Sequence, residues 1–293
     1  MNKNEKDNLS AKIQINWYPG HMAKTKKEIA SKLPIIDLVY ELVDARIPYS
    51  SRIVNLDKMI NNKPRIIIFT KTDLCDMSIT NKWAEKYRAE GNYVVMANLS
   101  DSNDYKKVLK YTEEIANDIN EKRIAKGLKE KQLKALVVGV PNVGKSTFIN
   151  KMAGRKVTNV GNKPGVTTNL SWLNAQGNIL LLDTPGILWP KIEENEVAFN
   201  LASMAAISSD VVPIDEVAIY ILNKLDKYYN NILVDRYHID HVNNDDILET
   251  YDALGKRLGC LIRGGEVDYK RVSTAVVNDM KNELIKGITF DRL

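Results

Sequence analysis

An α/β domain with a mostly parallel sheet and helices on both faces, followed by a smaller all-helical domain, is the fold the sequence predicts. Two observations carry it. Up to about residue 190, strand-like apolar runs alternate with helical stretches. From about Glu193 onward the alternation stops and a helical period takes over. Composition agrees: of 293 residues 44% are hydrophobic and 27% charged, which is globular and rules out a disordered chain. The longest apolar run, Val217–Leu222, is far short of the roughly 18 residues a membrane span needs, so a transmembrane protein is excluded.

The elements follow in order. Residues 1–34 are expected to form an N-terminal segment, with a loop signal at Trp17-Tyr18-Pro19-Gly20-His21. In it Met22–Leu33, carrying Lys24, Lys26, Lys27 and Lys32, reads as a basic helix ended by Pro34. Ile35–Val43 reads as a buried strand closing on Asp44-Ala45-Arg46, and Pro64–Phe69 as a second, running into Thr70-Lys71-Thr72-Asp73. Tyr93–Ala97 and Ala135–Val140 are the third and fourth, with helices expected around Ile53–Ile60, Ile79–Ala89 and Tyr105–Ala125. Leu170–Ala175 and Ile179–Asp183 flank Gln176-Gly177-Asn178 and so should pair as a hairpin. The first domain is expected to span 35–190 and the helical one 191–293, where Val197, Leu201, Met204 and Ala205 share a face, as do Val217, Ala218, Ile221 and Leu225.

Charge and cysteine usage narrow the class. Lys and Arg number 42 against 37 Asp and Glu, a net +5 that is compatible with nucleic acid but weak evidence for it. Two cysteines, Cys75 and Cys260, make no disulfide framework, and His21, His238 and His241 form no evident metal cluster. The first ten residues lack a signal-peptide core and carry Glu5 and Asp7, so a bacterial cytoplasm is the expected compartment.

Three motifs carry chemistry. Gly139-Val140-Pro141-Asn142-Val143-Gly144-Lys145-Ser146 is GxxxxGK[ST] between a strand and a helix. Gly144 lets the backbone curl and aim N–H groups at phosphate oxygens, Lys145 brings charge to the terminal phosphates, and the Ser146 hydroxyl is placed to ligate Mg²⁺. Asn142, Val143 and Thr147 complete the predicted phosphate site. Second, Asp183-Thr184-Pro185-Gly186 ends an apolar strand: Asp183 can hold Mg²⁺ through water and the Gly186 N–H can sense a γ-phosphate. Between these motifs the loop Lys163–Thr168 offers Thr167 as a third Mg²⁺ ligand and a switch that orders when γ-phosphate is present. Third, Thr70-Lys71-Thr72-Asp73 chooses the base. A carboxylate accepting from N1–H and the 2-amino group fits guanine, adenine offers neither donor, and the Lys71 stem can lie along the purine face. Asp73 is expected to be buried, and backbone N–H groups at Ala97-Asn98-Leu99-Ser100 are expected near the guanine carbonyl. In Ras-like GTPases the phosphate loop precedes the base motif; here the order is reversed, which makes this a circularly permuted P-loop GTPase domain.

The permuted order together with Asn16–Lys24 resembles the ribosome biogenesis GTPase A (YlqF/RbgA) family. Val43–Pro48, Gly139–Thr147, Pro164–Thr168, Leu181–Pro190 and Arg257–Gly265 match that family's pattern. The resemblance implies a GTPase that assists assembly of the large ribosomal subunit, binds ribosomal RNA and precursor particles with GTP, is activated by the particle, and leaves on hydrolysis. It also implies a monomer away from the ribosome, with no membrane or DNA partner. Thr70 stands where the family often has Asn, which implies loss of an amide bridge to neighbouring loops. Ile187 stands where Ras-like enzymes use glutamine to orient water; the resemblance gives that role to His21, and the residues alone allow equally a histidine that ties down a turn. Asn142 has two readings, a turn-stabilising residue or, as in related GTPases, a partner of K⁺ beside the phosphates. Lys224, Lys227, Tyr228, Tyr229, Arg236, Tyr237, Lys256, Arg257, Arg263, Lys270 and Arg271 are either RNA contacts or solvated helix faces. The competing readings of the whole chain are a GTP-binding RNA scaffold with little turnover and an ATP-using transferase or kinase, which Asp73 disfavours.

Overall fold

The structure is a computed structural model that describes residues 27–61, 63–99, 101–158, 170–186, 192, 194–208 and 211–293. His21, Thr167, Ser100 and Ile187 lie outside the described residues, as does the expected boundary at Pro190. Helix α1 covers 27–32 and passes into a 3₁₀ turn, Leu33–Ile35, because Pro34 suits the first turn of a helix and cannot pair in a sheet. The first strand therefore starts later than expected, at Leu38.

The alternating series is β1 (Leu38–Asp44), α2 (Leu56–Ile60), β2 (Arg65–Thr70), α3 (Met77–Ala89), β3 (Tyr93–Met96), α4 (Ser102–Ile124), β4 (Leu133–Gly139) and α5 (Lys145–Ala153). Then come β5 (Ser171–Ala175) and β6 (Ile179–Asp183). Helix α2 is shorter than its apolar pattern because Asn55, just before it, is left-handed (φ +61°). The strands order as β3-β2-β1-β4-β6-β5, parallel throughout except for the β5–β6 hairpin. Every residue of β1 and β2 is buried, as expected of central parallel strands covered on both faces. The register sets Asp44 opposite Thr70 and Leu42 opposite Gly139, so β1 lies between the ends of the base and phosphate strands.

Helices α6 (Asn195–Ser203), α7 (Ile214–Tyr228), α8 (Asn230–Tyr237), α9 (Ile247–Leu258) and α10 (Tyr269–Lys281) form the C-terminal half. One apolar cluster runs from the sheet face bearing Tyr40, Ile68 and Val137, through Phe148 and Met152 of α5, to Leu201, Leu222, Leu225, Val276 and Met280. The segment 287–291 returns to the first half. The Gly287 N–H donates to Leu74 O and the Phe290 N–H to Arg46 O, both at 2.8 Å. Asp291 accepts from the N–H groups of Tyr49 and Ser50 at 2.7 and 2.8 Å and from the Asn200 amide at 2.8 Å.

The opposite sheet face carries two apolar clusters, one around Val39, Leu136 and Leu182 beneath Ile29 and Leu56, the other around Val43, Ile67 and Phe69 beneath Trp83 and Tyr87. Glu41 of β1, wholly buried on that face, is held by Arg52 (3.1 Å) and Arg65 (3.3 Å) and accepts from the Ile53 N–H.

Candidate nucleotide site

The ends of β2, β4 and β6 bring the three predicted motifs together. At the end of β4 the chain turns sharply through Asn142 (φ +60°) and Gly144 (φ +103°) into α5. Helix α5 has no side-chain cap, so its first N–H groups remain available to an anion. A Cβ on Gly144 would lie 3.2 Å from Leu99 Cδ1 and 3.9 Å from Thr70 Cγ2, which places the base motif and the 97–99 loop against the phosphate loop. A Cβ on Gly186 would sit 2.9 Å from Pro141 Cα, so the DTPG glycine packs directly on the phosphate loop. Thr184 anchors that turn by donating to Val137 O at 2.7 Å.

Lys145 is buried and folds over its own loop, donating to Gly139 O and Val140 O at 3.0 Å each. An ammonium has three donors, so one is left to aim into the loop. Burial pushes the Lys145 ammonium down to about 8, with Asp183 opposing the shift. Asp183 is 1% exposed, and among the described residues neither carboxylate oxygen has a hydrogen-bond partner. Burial pushes its carboxyl up to about 6, only partly offset by Lys145. A buried carboxylate with both oxygens unsatisfied among the described residues, taken with the half-buried Ser146 hydroxyl at the start of α5, is a donor set that fits a hard, oxygen-seeking cation such as Mg²⁺.

Several expectations change in detail. Asp73 is exposed rather than buried. The Asn98 N–H, expected to face the guanine carbonyl, donates to Asp104 Oδ2 at 3.0 Å, and the Ala97 N–H to Phe69 O at 2.8 Å. The bridge that Thr70 was expected to lose is made by its hydroxyl, 2.7 Å from Val143 O and 3.1 Å from Val43 O. Asn142 Nδ2 donates to Ala205 O at 2.6 Å, a tie between the phosphate loop and the C-terminal half. Thr147 is half-buried on the first turn of α5. Among the C-terminal residues, Tyr229 and Tyr237 are buried and cannot stack on bases, and Arg236 is spent on Asp279 in a bidentate pair at 2.8 Å. Lys256, Arg257, Arg263, Lys270 and Arg271 are exposed. Sequence reasoning missed Asp291, Asn200 and the Ala205 carbonyl, whose partners are distant in the chain.

Comparison with known proteins agrees with this geometry. A family model described as 50S ribosome-binding GTPase matches residues 134–244. Ribosome biogenesis GTPase A of Priestia megaterium is 40% identical over 280 residues, covering 95% of this chain and 97% of that protein. This chain belongs to the ribosome biogenesis GTPase A family. The Bacillus cereus member is 38% identical over 277 residues, covering 94% of this chain and 93% of its own. GNP-bound YlqF from Thermotoga maritima shares the fold with a TM-score of 0.63 at 22% identity, covering 92% of this chain and 98% of that one. A GDP-bound YlqF structure gives the same score with 90% and 98% coverage. Membership makes the chain a GTPase of the permuted kind, as the motif order predicts. The family's guanine nucleotide matches the base motif at the end of β2. No helix among the described residues is long and apolar enough to cross a membrane.

Proposed function

We propose that this protein hydrolyses GTP as an assembly factor of the large ribosomal subunit, docking on precursor particles and ribosomal RNA with GTP bound and leaving on hydrolysis. The observation that carries the chemistry is the buried Asp183, without a hydrogen-bond partner among the described residues, facing Lys145 beneath a glycine-rich turn. The names of its relatives support the ribosomal partner. Ser146, Thr167 and Asp183 would hold Mg²⁺, which supplies neutralising charge to the terminal phosphates. The N–H groups from Asn142 to Ser146 bind the phosphate oxygens and the remaining Lys145 donor adds a point charge, while Thr147 completes the first turn of the phosphate-binding helix. Gly186, seated on Pro141, presents its N–H to the γ-phosphate. Asp73 reads guanine, Lys71 lies along it, and Thr70 ties both to the phosphate loop; Asn98 supports the loop beneath the base.

His21 orients the attacking water in place of the glutamine that Ile187 replaces, and reaches its working position on the particle. Asn142, whose Nδ2 donates to Ala205 O, would offer its side-chain oxygen to a K⁺ beside the phosphates, which would supply positive charge there. The exposed Lys256, Arg263 and Lys270 provide charge for RNA phosphates. The protein acts in the bacterial cytoplasm as a monomer off the ribosome. The test is GTP turnover with and without purified large subunits, in K⁺ and in Na⁺, with ATP as control. Stimulation specific to GTP, lost in His21→Ala at unchanged GTP affinity and weaker in Na⁺, is expected. Slow turnover indifferent to subunits would replace the enzyme reading with a GTP-binding scaffold.

A further inference from the structure

Beside the base motif sits a buried charge pair, Asp44 and Arg46. Asp44 ends β1 directly opposite Thr70, and the Ala45 N–H donates to Thr70 O at 3.0 Å, so the turn after β1 is tied to the first residue of the base motif. Asp44 is 3% exposed and Arg46 1%. Asp44 Oδ1 accepts from the Arg46 backbone N–H and from Nε, both at 3.0 Å, and Oδ2 accepts from Nη2 at 2.8 Å. Neither group faces solvent, so neither reaches a ligand on its own. The second cation on Asp44 is Lys71, whose Nζ lies 3.6 Å from Oδ2.

Three features make this more than a structural ion pair. Lys71 holds a left-handed backbone (φ +56°), a conformation a long side chain adopts only where its surroundings enforce it. Its ammonium is drawn toward a carboxylate behind the motif, which stretches the four-carbon stem instead of leaving it to solvent. The pair is also locked from several sides. The Asp44 N–H donates to Ser51 Oγ at 2.9 Å, Ala45 O accepts from Thr80 Oγ1 at 2.9 Å, and Arg46 O accepts from the Phe290 N–H. Burial would raise the Asp44 carboxyl, but Arg46 and Lys71 outweigh it and hold the group at about 2, so the carboxylate is charged at any working pH.

We propose that the Asp44–Arg46 pair is the positioning element of guanine recognition: Arg46 fixes the Asp44 carboxylate, and Asp44 holds the Lys71 ammonium so that its stem forms a flat floor under the purine. Asp44 and Arg46 are positioning residues that act through Lys71. The proposal rests on the reading of Lys71 and Asp73 as the base-binding residues.

The test is a double-mutant cycle on the full chain, reading the GDP dissociation constant with a fluorescent guanine nucleotide. Lys71→Met is expected to weaken GDP about tenfold, Asp44→Asn by a similar factor, and the double variant no more than Lys71→Met alone. Equal loss from Asp44→Asn with Lys71 present or replaced would overturn the positioning role while leaving the base reading intact, because a general effect on the fold adds to the Lys71 effect. An unchanged GDP constant in Lys71→Met would remove the base reading and the proposal with it. Should Asp44→Asn fail to fold with Arg46 left uncompensated, the Asp44→Asn/Arg46→Gln variant removes both buried charges. Its GDP constant is expected to rise by the same factor, and wild-type affinity in that variant would overturn the proposal.

Discussion

Thr70 shows how much one hydroxyl can settle. It carries a single proton and so bonds Val143 O or Val43 O at any instant, with the 2.7 Å contact to the phosphate loop the shorter. Replacing it by valine keeps the volume and removes the donor. Thr70→Val is therefore expected to cost about 1 kcal/mol and to speed GDP release severalfold, measured by stopped-flow exchange, while Thr70→Asn restores the slow rate. At this scale the turn of the phosphate loop was legible, because the left-handed Gly144 and the helix start at Lys145 follow from eight consecutive residues. The Thr70 bridge was not legible: its partner lies 73 residues away, and nothing local distinguishes a bridging hydroxyl from a solvated one. Asp73 was misread for a related reason, since nothing local distinguishes a buried carboxylate from an exposed one just past the end of an apolar strand.

Among the elements, the hairpin from β5 to β6 is the clearest case of local chemistry deciding structure. In the three-residue loop 176–178, Gly177 (φ +75°) and Asn178 (φ +56°) both occupy the left-handed region, and these are the residue types that tolerate it. A Cβ on Gly177 meets nothing closer than Ile179 Cδ1 at 3.6 Å, so space is not the constraint. Gly177→Val is expected to destabilise by about 1–2 kcal/mol through backbone strain alone, seen as a lower denaturant midpoint with an unchanged slope. Helix periodicity found α3 and α4 but missed their starts by two or three residues. Asp76 accepts from the Ser78 and Ile79 N–H groups and Asp101 from that of Asn103, and a capping carboxylate begins a helix ahead of its first apolar position.

Across the whole molecule, the alternation of strand and helix foretold the parallel sheet, and the end of that alternation foretold the helical half. The way the halves lock together was hidden, because Asp291 meets Ser50 across 241 positions of sequence. Burial pushes the Asp291 carboxyl up to about 6, partly opposed by its Ser50 and Tyr49 donors. With a folded value above the ordinary one of 3.8, its contribution to stability is complete below about pH 4 and is lost as pH rises through about 6. The destabilisation caused by Asp291→Ala should therefore be larger at pH 5 than at pH 7.5, by about 1 kcal/mol in paired denaturant titrations. A pH-independent difference would mean that the carboxyl stays ionised in the folded protein.

The buried charges under the sheet have a consequence of a different kind. Glu41 lies between two dry clusters with Arg52 and Arg65 on its carboxylate. Losing one partner of such a group strands the others and costs about 3–5 kcal/mol, whereas exchanging the set for apolar residues can be neutral. Evolution can therefore leave this arrangement only by several substitutions arriving together, and lineages that carry it should inherit the three residues as a block or have replaced all of them.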